Sequence, residues 1–157
     1  MPLAPAPAVT GDSILAALAD VADPEIPAIS IVDLGIVHRA EPGPDGRIVV
    51  ELLPTFVGCP AIEAIRAAVG ERLAAFGRPV DVAISFEVPW TSDRISAAGR
   101  RRLEESGFAP PAEPVDVRCP YCDSATVVMD SAFGPTLCRA LYYCRTCRQP
   151  FESFKAV

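Results

Sequence analysis

The chain has 157 residues with 14 basic and 20 acidic side chains, a formal net charge of −6, and 50% of its residues are apolar. That length holds one ordinary core plus a small appendage, and that apolar fraction excludes an intrinsically disordered chain. Six cysteines stand against a single histidine, His38, which excludes carboxylate di-iron, facial-triad and Rieske sites, since each needs two histidines.

No stretch approaches the ~20 apolar residues of a membrane-spanning helix. The opening Met1-Pro2-Leu3-Ala4-Pro5-Ala6-Pro7 has neither the basic start nor the apolar core of a secretion signal. A soluble, cytoplasmic protein is therefore expected. Nucleotide binding has no support, because neither a P-loop nor a G-x-G-x-x-G fingerprint is present.

Residues 1–11, rich in alanine and proline, read as a disordered tail. Thr10 and Asp12 are candidate caps for a helix with Ile14, Leu15, Leu18, Val21 and Ala22 at helical spacing, stopped by Asp23-Pro24. Two strands follow, Ile36–Arg39 and Arg47–Leu53, joined by the turn Pro42-Gly43-Pro44-Asp45-Gly46. Ala61–Phe76 is a second helix, with Pro60 at its start and Gly77 past its end. From Val80 to Glu87 apolar and polar residues alternate, which predicts a strand with one face buried. A third helix is expected from about Ser92 to Ser106, closed by Gly107. The order αββαβα over residues 12–108 predicts an α+β domain with helices packed on a short sheet.

Ala109-Pro110-Pro111-Ala112-Glu113-Pro114 places three prolines in six residues, so residues 109–117 are expected to form an extended linker. Charge divides there too. Residues 1–108 hold 9 basic and 15 acidic side chains, while residues 109–157 hold 5 of each.

In residues 118–157, Cys119-Pro120-Tyr121-Cys122 and Cys144-Arg145-Thr146-Cys147 form two C-x-x-C pairs separated by 21 residues. A two-residue gap lets both thiolates of a knuckle reach one ion at about 2.3 Å. Two knuckles complete a closed four-thiolate site, so a small β zinc ribbon is expected, with strands at Thr126–Met129 and Leu141–Tyr143. A piece of this size needs a staple, and metal coordination supplies one. Zinc is favoured, although iron in a rubredoxin-like site uses the same ligands; with no open position, the metal's role is structural. Two disulfides would need an oxidising compartment. A neutral ribbon on an acidic host lacks the electrostatic footprint for nucleic acid.

Cys59, in Thr55-Phe56-Val57-Gly58-Cys59-Pro60, ends a strand and opens a helix. The helix dipole and the unpaired first-turn amides favour thiolate there, the form that binds metal or attacks sulfur. An inert buried thiol is the alternative. Cys138 is either a small hydrophobe of the ribbon core or a functional thiol. Asp23 and Glu25, held by flanking prolines in Asp23-Pro24-Glu25-Ile26-Pro27, offer hard oxygen ligands or a partner contact, or simply form a solvated turn. His38 reads as a surface residue. Arg100-Arg101-Arg102 reads as the exposed face of the third helix, or as a dock for an acidic partner.

Taken together, Asp23-Pro24-Glu25-Ile26-Pro27, Ile31-Val32-Asp33-Leu34-Gly35-Ile36-Val37 and Gly58-Cys59-Pro60-Ala61 resemble the domain shared by SufT-like proteins and the cytosolic iron–sulfur assembly factors. Pro89-Trp90-Thr91-Ser92-Asp93, Gly99-Arg100-Arg101-Arg102-Leu103 and Phe133-Gly134-Pro135-Thr136-Leu137-Cys138-Arg139-Ala140-Leu141-Tyr142 narrow the resemblance to the PaaD family, accessory members of bacterial phenylacetyl-CoA epoxidase systems. The similarity runs from about Asp12 to Lys155. It implies a role in iron–sulfur cluster assembly or delivery, with the epoxidase reductase component as client, rather than oxygenase catalysis. It also implies Cys59 as the key thiol, supported by Asp23 and Glu25, with Cys138 a candidate co-ligand of transiently bound iron or an iron–sulfur cluster. A structural scaffold holding oxygenase components together is the alternative. Expected partners are those oxygenase and reductase components and the assembly machinery, with neither nucleic acid nor membrane. A homodimer would offer two Cys59 ligands. The family's Phe-Lys-Cys ending is absent here, where Ala156 follows Phe154-Lys155.

Overall fold

The computed structural model describes residues 8–157. Residues 1–7 of the expected tail lie outside the described residues, while Thr10 and Gly11 already belong to the first helix. That helix, α1 (Gly11–Leu18), opens with a capping box in which Thr10 and Ser13 satisfy each other's backbone amides. It buries Ile14, Ala17 and Leu18. It stops before the expected Ala22 because residues 21–23 leave the helix to pair with residues 29–31: the amide of Ile31 donates to the Val21 carbonyl and that of Asp23 to the Ile29 carbonyl, both at 2.9 Å.

Strand β1 (Val37–Pro42) runs antiparallel to β2 (Ile48–Leu52), and β3 (Val80–Ile84) pairs parallel on the other side of β2. Central β2 buries Ile48, Val50 and Leu52 completely. Helix α2 (Ala61–Leu73) makes the crossover from β2 to β3 and buries Ile62, Ile65, Val69 and Leu73 against the sheet. A 3-10 turn over Ala74–Phe76 extends it to Gly77, whose φ of 65° is the left-handed conformation glycine adopts without penalty.

The expected third helix divides in two. A 3-10 turn covers Ser92–Arg94, Ile95 is extended, and helix α3 (Ala97–Glu105) begins behind Ser96. Ser96 is the stronger start because its hydroxyl accepts from the Gly99 amide at 2.9 Å and donates to Asp33 Oδ1 at 2.7 Å. Gly99 is required there, since an added Cβ would lie 2.8 Å from the Asp33 carbonyl oxygen.

The second sheet has the order β4-β7-β6-β5, from β4 (Phe108–Ala109), β5 (Val127–Ser131), β6 (Arg139–Cys144) and β7 (Pro150–Phe154). Strand β4 lies parallel to β7, pairing Phe108 with Glu152 and Ala109 with Ser153. The proline-rich segment after it has no regular structure, yet Pro111 and Val117 are buried. Arg100 donates to the Pro111 carbonyl at 3.1 Å and to the Ser92 carbonyl at 2.9 Å, holding that segment against the 3-10 turn.

The molecule is thus mixed α/β, with three α-helices and two small sheets among the described residues. It has two apolar cores, and the larger one recruits residues from the second sheet. Phe154 and Cys138 are buried in it, beside Trp90. The Trp90 and Phe154 ring centroids are 5.7 Å apart, and the Trp90 indole donates to the Leu34 carbonyl at 2.9 Å. No helix among the described residues is long and apolar enough to cross a membrane.

Candidate functional site

The six cysteines fall into two places. Cys119, Cys122, Cys144 and Cys147 converge at the tip of the second sheet, with all four sulfurs within 4.8 Å of one another. Cys119 Sγ lies 3.6 Å from Cys147 Sγ, and Cys122 Sγ 3.6 Å from Cys144 Sγ. Four sulfurs at about 2.3 Å from a central ion stand about 3.8 Å apart in a tetrahedron. The donor set therefore fits a tetrahedral metal ion.

Each knuckle is built the same way. The residue after its second cysteine, Asp123 or Arg148, takes a positive φ of 58° or 60°, which turns backbone amides back toward the sulfurs. The amides of Cys147 and Thr146 hold the Cys144 thiol down to about 6. Burial pushes the Cys147 thiol up to about 12, helped by the three neighbouring thiols. Four thiols this close repel one another when ionised, and a cation among them relieves that repulsion.

Cys59 sits elsewhere, half-buried on the turn that carries the chain from β2 into α2. Pro60 takes the cap position rather than the first helical one, and Gly58 has a φ of 79°. Cys59 itself donates its amide to the Phe56 carbonyl at 3.1 Å, and Thr55 Oγ1 is 4.0 Å from its sulfur.

Asp23 is buried. Its Oδ1 accepts from the amides of Glu25 and Ile26, both at 2.8 Å, closing the Asp-Pro-Glu-Ile turn. Its visible task is to shape the loop that presents Glu25. The Glu25 carboxyl is raised by burial and by the charge of Asp23, against the lowering effect of Arg139.

Cys138 lies at the head of β6, and its thiol points into the larger core, not into the ribbon core. Burial raises it, and charge on Glu25 and on Cys59 raises it further, while Thr136 and Arg139 pull it down. Cys59 packs on the rim of the same larger core that buries Cys138. Arg139 is a functional candidate that the sequence did not single out. It is buried, pairs with Glu152 at 2.7 Å, and lies 5.5 Å from the centre of the Phe108 ring. Arg139 is the first residue of β6, ahead of the run Ala140-Leu141-Tyr142-Tyr143.

The remaining candidates are separate. His38 is exposed on β1. Of the three consecutive arginines, Arg101 alone is an exposed side chain without a partner among the described residues; Arg100 binds the proline segment and Arg102 pairs with Asp33 at 3.0 Å. A cavity of about 430 Å³ opens on the second sheet between Phe108, Tyr121, Asp130, Tyr143 and Glu152, and no cysteine lines it.

Residues 11–86 match the family described as iron–sulfur cluster assembly protein, and residues 105–155 match the PaaD zinc beta ribbon domain. An Escherichia coli K12 protein, named as a putative component of 1,2-phenylacetyl-CoA epoxidase, is 40% identical over 92% of both chains. An Fe-S protein maturation auxiliary factor of Porphyromonas gingivalis is 34% identical, over 63% of this chain and 92% of its own. Among solved structures, a DUF59 domain from Bacillus anthracis aligns with a TM-score of 0.55 and 26% identity, covering 59% of this chain and 90% of that one. The chain belongs to the PaaD family.

Proposed function

We propose that this protein is an accessory factor of phenylacetate catabolism that assembles or delivers iron–sulfur clusters to the epoxidase system, with the reductase component as client. The observation that carries the reading is Cys59, a half-buried thiol on an open turn at the head of α2, packed on the rim of the core that buries Cys138. The relatives named as iron–sulfur maturation factors and the family match over residues 11–86 support it.

In this reading Cys59 holds iron or a nascent cluster as thiolate. Delivery is a ligand exchange: a client thiolate replaces the Cys59 sulfur on iron, Cys59 takes up a proton, and no electron moves. Asp23 fixes the turn that carries Glu25, and Glu25 supplies negative charge near the cargo. The four-cysteine site holds zinc, whose chemistry there is to cross-link two knuckles. The ribbon it stabilises is the docking module for protein partners.

The name of the E. coli relative, a component of an enzyme, favours a second reading, a scaffold that holds oxygenase components without touching iron. Anaerobic reconstitution with ferrous iron and sulfide separates the two. A maturation factor takes up iron and labile sulfide in a Cys59-dependent manner. Absence of uptake, with complex formation indifferent to Cys59→Ala, supports the scaffold and overturns the proposal.

A further inference from the structure

Side chains alternate across a strand, so the register of the second sheet fixes which residues share a face. On β6 and β7, Ala140, Tyr142, Cys144 and Phe151 belong to the smaller core. The opposite face starts at Phe154, buried in the larger core and paired with Arg139. It continues through the pair Leu141–Glu152 to the pair Tyr143–Pro150. Phe108 of β4 pairs with Glu152 and so joins that face. A bulge between Met129 and Ser131 on β5 brings Asp130 beside it. With Tyr121 from the first knuckle, these side chains line the cavity of about 430 Å³. Gly107, with a φ of 83°, forms one wall, and a Cβ there would stand 2.9 Å from the Tyr121 hydroxyl oxygen. The knuckle therefore leans on the end of α3.

The cavity is aromatic and negative. Tyr121 and Tyr143 are 57% and 38% exposed. Glu152 is engaged by Arg139 at 2.7 Å, but Asp130 is exposed and has no ion-pair partner among the described residues. Ser106 and Gly107 bring in the C-terminal end of α3, the negative end of its dipole. Among the described residues, no basic side chain lines the cavity. Such a lining repels a phosphate-bearing ligand. A guanidinium suits it: the planar cation stacks on tyrosine and gives a carboxylate two N–H donors, and its aliphatic stem covers Leu141 and Phe108. Resting on the reading of the ribbon as the docking module, we propose that this cavity receives an arginine side chain presented by the partner protein. Asp130 takes the cation, and Tyr121 and Tyr143 flank it. The net charge of −6 favours encounter with a basic partner surface.

The test uses the zinc-loaded full chain and two probes. N-acetyl-arginine methylamide, followed by amide NMR, is expected to shift the signals of Gly107, Tyr121, Asp130 and Tyr143. Its uncharged citrulline counterpart is expected to leave them in place, and the lysine counterpart to move them less. The second probe is the purified reductase component, the proposed client. Asp130→Asn, an exposed and isosteric change, is expected to weaken its binding roughly 10–100-fold, the loss of a charge-assisted contact. An equal response to all three small probes, or none to arginine, overturns the arginine site. Reductase binding undiminished in Asp130→Asn also overturns it and leaves the ribbon as a docking module that works through another surface. No binding of the reductase to the wild-type chain overturns the docking reading and the arginine site with it.

Discussion

Phe154→Ala probes the joint between the two halves. Phe154 is 1% exposed, ends β7, and packs its ring 5.7 Å from that of Trp90 in the larger core. Truncating a fully buried phenylalanine costs about 3–5 kcal/mol. At roughly 2–4 °C per kcal/mol for a chain of this size, the melting temperature should fall by about 6–20 °C. A control of matched chemistry lies three residues away. Phe151 is also buried, but it stacks on Tyr142 at 5.6 Å within the smaller core. Phe151→Ala should loosen the ribbon while leaving the assembly domain folded. Because Phe154 pairs with Arg139 beside Cys138, only Phe154→Ala should also expose the Cys138 thiol. Circular dichroism melting of the zinc-loaded chain, with alkylation mapped by mass spectrometry, reads both effects. A Phe154→Ala protein that melts within a degree or two of wild type and keeps Cys138 protected would refute the idea that the ribbon is anchored in the larger core.

Metal analysis should find about one zinc per chain, and its removal by chelator should unfold the ribbon while α2 and the first sheet persist; a ribbon with unchanged near-ultraviolet dichroism after chelation would contradict the structural role. Burial raises the Cys138 thiol and Glu25 adds to it, so any stability from this shift is complete below the ordinary thiol range and is lost as pH climbs through the raised value. Glu25→Gln removes one raising charge and should move the alkylation profile of Cys138 to lower pH; an unmoved or upward profile would show that Glu25 does not act on it. Arg100→Ala removes two hydrogen bonds from a charged donor to the Pro111 and Ser92 carbonyls, each worth about 1.5–3 kcal/mol. Limited proteolysis should then cut the segment 112–116 faster, and an unchanged rate would mean that the segment is held by other contacts.

What the sequence revealed follows the range of the forces involved. Helix α2 is legible because Pro60 and Gly77, local signals, bracket it. The four ribbon cysteines were readable because ligand spacing is local chemistry. The third helix is shorter than the expected Ser92–Ser106: Ser92–Arg94 forms only a 3-10 turn, and Ser96, held by Asp33 from a distant segment, starts α3. Strands β4 and β7 lie outside the expected elements: the first has two residues, and the second begins with Pro150 and exists through its pairing with β6 and β4. Cys138 could not be assigned a core from its neighbours in sequence, because its burial depends on the docking of one half on the other.

The iron and acid-labile sulfide content of the epoxidase reductase component reports most directly on the role of Cys59. The reductase is to be purified from cells growing on phenylacetate whose copy of this protein carries Cys59→Ala. A reductase depleted of both iron and sulfide, with the variant itself folded and zinc-loaded, is the predicted result. A reductase with its full complement of both would contradict the central claim that Cys59 is the thiol through which the cluster is made or passed on.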